Sequence, residues 1–425
     1  MTTDHPVIIV GAGMAGLTCA VYLKQAGINA LLLEADSAVG GRVQTDVVDG
    51  FLLDRGFQIL LTAYPEAQRL LNYTALDLKP FRSGALIRQP DAGKSGPWIS
   101  MINPFQEPTS VFQTLASSVG TLGDKLRIVD LLRRTQELPI DDLFYQTPTT
   151  TLDFLRTNGF SEQIIDRFFR PFFGGVFLED ELVTSSNFFE FCFRMFFMGH
   201  AAVPAQGIGA IPKQLASHLS PDQLRFNSPV EQLDGRTLTL SNGQTVSADH
   251  VVLAVDAAQA ARLTGHAAPT SQAFTHTTCT YFAAPSSPND KQLLMLNPHR
   301  ASAVHNVAVL SDVAPGDATP GYAPAGQSLI SVSTQELETV DEEALTERIF
   351  RELTTWFGDE VNQWRYLRTY HIPRALPAYT PYSVHRPLQL GNHLYQCGDW
   401  TAYPSLNAAM QTGRQVAELI IQTQG

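Results

Sequence analysis

The stretch Pro6-Val7-Ile8-Ile9-Val10-Gly11-Ala12-Gly13-Met14-Ala15-Gly16-Leu17-Thr18-Cys19-Ala20-Val21-Tyr22-Leu23-Lys24-Gln25-Ala26-Gly27-Ile28-Asn29-Ala30-Leu31-Leu32-Leu33-Glu34 decides how the rest of the chain is read. Val7–Val10 is a short apolar run, the pattern of a strand buried on both faces. Gly11, Gly13 and Gly16 follow at G-x-G-x-x-G spacing, and Ala15, Leu17, Ala20, Val21 and Leu23 recur at helical spacing. Gly27 ends the helix, Ala30–Leu33 is a second buried strand, and Glu34 closes it about twenty residues beyond the glycines. In such a unit the first glycine allows the tight turn, the second lets backbone approach a pyrophosphate, and the third lets helix and strand pack closely. The helix N-terminus favours the anion, and the terminal acid accepts from ribose hydroxyls. The register of strand, loop, helix, strand and acid predicts a dinucleotide site.

The 425 residues are enough for two domains. A net charge of −12 argues against nucleic acid or an anionic membrane as an electrostatic partner. Cys19, Cys192, Cys279 and Cys397 are scattered, with no C-x-x-C pair and no metal-like spacing, so no metal is expected and the thiols read as reduced. The first strand starts too near Met1 for a signal peptide, and no apolar run reaches transmembrane length. These features predict a cytoplasmic protein, at most peripheral to a membrane.

After Glu34, Gly40-Gly41-Arg42 suggests backbone lying against phosphate with a guanidinium beside it. Gly40-Gly41-Arg42-Val43-Gln44-Thr45 resembles the second flavin motif of the flavin amine oxidase superfamily, which includes amine oxidases, protoporphyrinogen oxidases, phytoene desaturases and carotenoid isomerases. Phe51-Leu52-Leu53-Asp54-Arg55-Gly56-Phe57-Gln58-Ile59 is similar to the Asp-x-Gly segment of that group. The resemblance implies FAD rather than NAD, with Gly56, Phe57 and Gln58 near the isoalloxazine ring.

Between residues 80 and 160 little carries chemistry. Gln89–Pro97 and Asn103–Pro108 read as loops, Leu122–Leu138 as an amphipathic helix, and Thr151–Asn158 and Ser161–Arg170 as two short helices. From Arg167 to Gly199 phenylalanines are dense, and such density builds either an oversized core or the wall of an apolar pocket. Pro171–Phe177 followed by Thr184-Ser185-Ser186 resembles the substrate-domain segment of protoporphyrinogen oxidases and desaturases. Phe172, Phe173, Phe193 and Phe197 are the candidate substrate contacts.

Pro204–Leu215 resembles the family's return into the flavin domain, and by that resemblance Val230 supplies a backbone contact to adenine. Thr237–Leu240 and Thr245–Val246 around Asn242-Gly243 predict a hairpin, and His250–Val255 a buried strand. Thr277–Phe282, Val304–Val309 and Leu329–Thr334 predict a second sheet, Asp341–Phe357 an amphipathic helix, and Trp364–Ile372 a strand that Pro373–Pro377 ends. Amine oxidases place a lysine on the strand corresponding to Thr277–Phe282. This chain has threonines and Cys279 there, with Lys291 beyond it.

Leu394–Cys397 then Gly398-Asp399-Trp400 is a strand followed by Gly-Asp, and Ser405 is placed to cap a helix opening at Leu406. The ending resembles that of carotenoid desaturases, with Ala408 and Thr412 in place of the usual glycine and serine. The resemblance implies that Asp399 holds the ribityl chain and that amides near Leu406, Asn407 and Ala408 point at flavin N1 and O2, where the helix dipole favours developing negative charge.

The fold class expected is α/β: a glutathione-reductase-like Rossmann FAD domain (1–82, 203–270, 385–425) interleaved with an α+β substrate domain (83–202, 271–384). The expected activity is hydride transfer from a mostly apolar small molecule to FAD, with oxygen or a quinone as acceptor. A flavin-dependent isomerase of a polyene-like substrate, an amine oxidase proper, and a non-catalytic flavin protein are the alternatives. Gly11, Gly13, Ala15, Gly16, Glu34, Gly40, Gly41, Arg42, Gly398 and Asp399 are expected to hold the cofactor. Trp400, Tyr403 and Tyr370 form a candidate aromatic wall, and His371 and Arg374 are candidates for a polar end of the substrate.

Overall fold

A computed structural model describes residues 4–89, 98–104, 106–110, 117–267, 273–316, 321–335, 337 and 339–424; most of the expected loop Gln89–Pro97 and residue 105 of the loop Asn103–Pro108 lie outside the described residues. The opening unit is β1 (His5–Val10), α1 (Met14–Gln25) and β2 (Ala30–Leu33). Its apolar strands are buried on both sides because they sit inside a parallel sheet. The parallel order is Leu224–Arg225, β2, β1, Thr245–Leu253, Leu394–Gln396. Val10 lies opposite both Leu33 and Leu253, so the strands end level beneath the glycine loop. An antiparallel meander, Val230–Asp234 and Thr237–Leu240 against Thr245–Ser247, adds to this sheet, and its turn is made by Gly243 at φ +80°. The C-terminal helix Leu406–Gln424 crosses α1 so closely that a Cβ on Gly413 would lie 2.3 Å from the Ala15 carbonyl oxygen.

A helical layer follows the chain out of this domain. Helix Leu122–Glu137 starts on a capping box in which Thr121 and Asp124 satisfy each other's backbone N–H groups. Helix Thr151–Thr157 is capped by Thr150, whose hydroxyl accepts from Asp153 N at 3.0 Å. The expected single helix Ser161–Arg170 is instead one α-turn (Glu162–Ile164) and a π-turn (Ile165–Phe169) running into α2 (Arg170–Phe177). Pro171 has no N–H to give to the carbonyl four residues back, and the widened turn precedes it. α3 (Ser186–Met198) lies on α2, with Phe173 and Phe189 ring centroids 4.7 Å apart in a T-shaped pair. Phe169, Phe173, Phe188, Phe189, Phe191 and Phe193 are all buried, so this layer is an aromatic core.

The second sheet runs in the order β4, β3, Ser328–Gln335, Asn306–Val309, Leu294–Leu296, Gly84–Ile87, Ile99–Ile102, with β3 being Phe274–Ala284 and β4 Arg365–Pro377. Alternation along its strands sends Phe282, Val307, Ile330 and Val332 onto helix Glu342–Phe357. The other face, carrying Cys279, Tyr281, Ala308 and Leu329, packs on Phe51, Leu53 and Val203. β4 does not end at Pro373 as expected but continues to Pro377. It is an edge strand, where the missing proline N–H takes nothing from a ladder. Among the described residues no helix is long and apolar enough to cross a membrane, and no group of three His, Cys, Asp or Glu is placed to hold a metal.

Candidate active site

The glycines of the first motif divide by role. A Cβ on Gly11 would lie 2.6 Å from the Ala254 carbonyl oxygen, and one on Gly16 2.1 Å from that of Gly11, so both serve packing. Gly13 has an ordinary φ of −75°, and among the described residues nothing lies within 4 Å of its Cβ position. Its missing side chain therefore keeps a cleft open. Gly13 is also the N-cap of α1 and gives no side-chain cap, which leaves the first amides of that helix for an anion. Gly40 N donates to the Ala12 carbonyl at 2.9 Å, Gly13 and Gly40 form a β-bridge, and a Cβ on Gly41 would lie 3.5 Å from Gly13 Cα. The second motif thus lies on the first. Two glycine surfaces, an uncapped helix terminus and the adjoining Arg42 fit a diphosphate.

Glu34 stands at the end of β2, its Oε2 accepting from Ala12 N at 2.7 Å and its Oε1 from Asp36 N at 2.9 Å. Ser228 N donates to the Glu34 carbonyl at 2.8 Å, which brings the approach to Val230 alongside the acid. The Val230 carbonyl accepts from Arg262 Nη2 at 2.8 Å. Ala15 is buried, with its carbonyl turned toward Gly413.

Arg42 joins three distant segments. Its Nη2 donates to Asp399 Oδ1 at 2.6 Å, its Nη1 to the Ala375 carbonyl at 2.7 Å, and its own carbonyl accepts from Gln58 Nε2 at 2.9 Å. Asp399 is buried and also accepts from Trp400 N at 3.0 Å. Gly56 has φ +95°, and a Cβ there would meet Ile372 of β4 at 2.8 Å, so the Gly56–Gln58 segment lies against the second sheet. Phe57 packs edge-on to Phe81. Gly398 N donates to Thr412 Oγ1 at 3.0 Å, a tie the threonine makes in place of serine. Ser405 Oγ accepts from Ala408 N at 3.0 Å, the expected cap. The Leu406 and Asn407 amides remain in the helix's first turn, where no intrahelical acceptor reaches them. The Asn407 side chain is structural: Oδ1 accepts from Glu66 N and Nδ2 donates to the Tyr403 hydroxyl.

The aromatic and polar candidates are spread more widely. Trp400 is half-buried, with Nε1 donating to the Val255 carbonyl at 2.9 Å and the Arg386 guanidinium 5.4 Å from its ring centroid. Tyr403 is buried and stacks on Phe144 at 4.4 Å, beside Phe188 and Phe191. Tyr370 donates to Asp46 Oδ2 at 2.7 Å; burial and that carboxylate push its phenol up to about 12. His371 meets Thr278 Oγ1 at 3.0 Å. Arg374 lies 3.6 Å from Asp256, the N-cap of helix Ala257–Thr264, and so stands beside the dinucleotide domain. Phe173 and Phe193 are interior to the aromatic layer, whereas Phe172 and Phe197 are half-buried.

Sequence reasoning assigned nothing to Asp54, yet it is buried at the base of the Asp-x-Gly segment. Its carboxylate accepts from Thr45 Oγ1 and Tyr322 OH at 2.6 Å each and from Ile208 N at 2.9 Å. Burial nonetheless pushes its carboxyl up to about 6, against the pull of those donors. The signal available was its place in an apolar strand, Phe51-Leu52-Leu53-Asp54, where an acid on the buried side needs partners. Cys279 faces the Phe51–Leu53 side of β3 and contacts Ser331 Oγ at 3.3 Å; burial pushes its thiol up to about 11, so it stays neutral. Lys291 is exposed in the turn beyond β3.

The sequence model of flavin-containing amine oxidoreductases matches residues 14–421, and the chain belongs to that family. Protoporphyrinogen oxidase 2, chloroplastic/mitochondrial, of Arabidopsis thaliana is 27% identical over 176 residues, 41% of this chain and 33% of that protein. The chloroplastic/chromoplastic 15-cis-phytoene desaturase of Arabidopsis thaliana is 45% identical over 65 residues, 15% of this chain and 12% of that protein. These matches span a third or less of the relatives' own lengths. Among solved structures, cyclohexylamine oxidase from Brevibacterium oxydans superposes with a TM-score of 0.72 at 15% identity, over 99% of each chain. Reduced UDP-galactopyranose mutase gives 0.68 at 18% identity, over 99% of this chain and 96% of that one. The fold is that of these flavoproteins, and the cofactor of the family is FAD.

Proposed function

We propose that this family member is an FAD-dependent oxidoreductase that takes hydride from a mostly apolar small molecule and passes the electrons to oxygen or a quinone-type acceptor in the cytoplasm. The observation that carries the reading is the convergence of three motifs, from Gly11–Gly16, Gly40–Arg42 and Gly398–Ala408, on one cleft. When bound, FAD supplies the hydride acceptor, and the chain needs few reactive side chains of its own. In this reading Gly13 and Gly41 admit the diphosphate, and the α1 terminus and Arg42 meet its charge. Glu34 takes the adenosine ribose, and Asp399, held by Arg42 and Trp400 N, orients the ribityl chain. The first turn of the C-terminal helix places amides and a positive dipole end where negative charge grows. The aromatic layer of α2 and α3 excludes water above the cleft.

Two facts weigh against amine oxidation proper: β3 carries no lysine, and Lys291 is exposed beyond it. The same fold serves an oxidase and a mutase, so the fold does not choose between net oxidation and isomerisation. Anaerobic mixing of the flavin-loaded protein with polyenes, porphyrinogens and amines tests the proposal. Bleaching of the flavin band by an apolar donor supports it. Rearrangement of substrate only after pre-reduction assigns an isomerase, and no reaction across the panel contradicts turnover.

A further inference from the structure

The sheet face turned toward the flavin domain is not apolar throughout. Register puts Thr277 opposite both Ile372 and Gln335, and Ser333 opposite both Cys279 and Asn306. Alternation then gives all six the same face as Ala308 and Leu329, which pack on the flavin domain. Ile372 sits at one margin of this patch, against Gly56. At the other margin Gln335 Nε2 donates to the Gly174 carbonyl of α2 at 2.8 Å. Gln335 is two strands from Ile372, roughly 10 Å at ordinary sheet spacing. A small molecule lying in the substrate cleft proposed above, one end at Gly56, would reach that far.

The orientation of both amides at the far margin is set by their neighbours. The Gly174 carbonyl can only accept, so Gln335 must turn its nitrogen to it. His305 Nε2 faces Asp180 Oδ1 at 3.1 Å and carries the proton there. Gln335 Nε2, already fixed as a donor by Gly174, lies 3.5 Å from His305 Nδ1, which makes Nδ1 the acceptor to which Asn306 turns Nδ2 at 3.1 Å. Gln335 Oε1 and Asn306 Oδ1 therefore point away from these partners, and both are buried without a donor among the described residues. A buried carbonyl left without a donor is costly, and a bound donor would recover that cost.

We infer that Asn306 and Gln335 are specificity-determining residues that accept hydrogen bonds from an uncharged hydroxyl or amide N–H at the distal end of the substrate. The inference rests on the substrate cleft proposed above and refines its class to an apolar body with one donor. Asp180, the carboxylate behind them, is already engaged by His305, so an ammonium here would be held by amide dipoles alone, which does not repay its desolvation.

Calorimetric titration of the flavin-loaded protein, kept anaerobic, with 2-phenylethanol, ethylbenzene and 2-phenylethylammonium tests this. The wild type should bind the alcohol about tenfold more tightly than the hydrocarbon, and the ammonium no better than the hydrocarbon. Asn306→Leu and Gln335→Met should each bring the alcohol-to-hydrocarbon ratio close to one while flavin content stays unchanged. The ratio compares two probes on one sample, so partial loss of folded protein does not move it, and either variant alone suffices. No preference for the alcohol in the wild type, an undiminished preference in both variants, or preference for the ammonium would overturn the inference. Failure to retain flavin would strike instead at the proposed cofactor site.

Discussion

Arg42 Nη2 lies 2.6 Å from Asp399 Oδ1, a contact between residues 357 positions apart that joins the N-terminal and C-terminal flavin motifs. The arginine side chain is 45% exposed and the aspartate 5%, so the pair borders the cleft with the carboxylate on the inner side. Only the arginine side of the pair is exposed, so removing Arg42 would leave a buried carboxylate with the Trp400 amide as its remaining donor among the described residues. The pair also aligns the two halves of the cradle, and Arg42 offers its charge to a diphosphate.

Arg42→Met should raise the dissociation constant for FAD about tenfold or more and lower unfolding stability by about 1–3 kcal/mol, because Asp399 loses its charged donor. Fluorescence of flavin released on dilution, beside a urea titration of the same sample, measures both. Equal flavin affinity in the variant would refute the role given to Arg42.

The glycines of the first motif should separate fold from function. Gly13→Ala places a methyl in the open cradle at an ordinary φ, so the protein should fold with unchanged thermal midpoint yet lose flavin. Gly16→Ala drives a methyl to 2.1 Å from a backbone oxygen and should cost about 1–3 kcal/mol whether or not flavin is present. Thermal unfolding beside flavin content distinguishes them, and a Gly13→Ala protein with full flavin would show that the cradle is misassigned.

Asp54 should make the fold less stable as pH rises. Its carboxyl is pushed up to about 6 in the fold, so the native state holds a proton that the unfolded chain releases near its ordinary value of 3.8. Stability is then greatest below pH 4 as far as this group is concerned, and about 3 kcal/mol is lost as pH rises from about 3 to about 7. Asp54→Asn should remove that slope, because a neutral amide can keep its oxygen for Thr45 and Ile208 and turn its nitrogen to the Tyr322 oxygen. Urea midpoints of the two proteins across pH 4–7 test this. Parallel profiles would rule out the protonated carboxyl.

Asp124 should act in the opposite sense. It accepts from the N–H and hydroxyl of both Thr121 and Ser161, and although burial alone would raise it, these donors hold its carboxyl below the usual range. The stability it contributes is present above pH 4 and lost as pH falls through the lowered value. Asp124→Ala should cost about 2 kcal/mol at neutral pH, seen as a lower urea midpoint, by stripping a helix cap and the Thr121 and Ser161 N–H and hydroxyl groups of their acceptor.

The parts of this molecule legible in sequence are those set by local chemistry. Gly11–Glu34 showed its strand, helix and strand because periodicity and glycine spacing are local properties, and Ser405 was visible as a cap for the same reason. What stayed hidden depends on contacts across the chain. Nothing near Pro373 announces that its strand lies on an edge and can run on to Pro377. The density of phenylalanine in α2 and α3 could not say which rings face inward, and packing buries Phe173 and Phe193 while Phe172 and Phe197 stay half-exposed. Tyr370, a candidate for the aromatic wall, has its hydroxyl on Asp46, and Arg374, a candidate for the polar end of the substrate, lies beside Asp256; neither contact is encoded near the residue itself. The polar patch of Asn306 and Gln335 arises from strand register, which no single segment encodes.

The measurement that bears most directly on this account is the flavin released when the purified protein is denatured. One FAD per chain, lost together with the Gly13→Ala substitution while the fold survives, is the result expected. A wild-type protein that releases no flavin, or releases a nicotinamide dinucleotide instead, would contradict it.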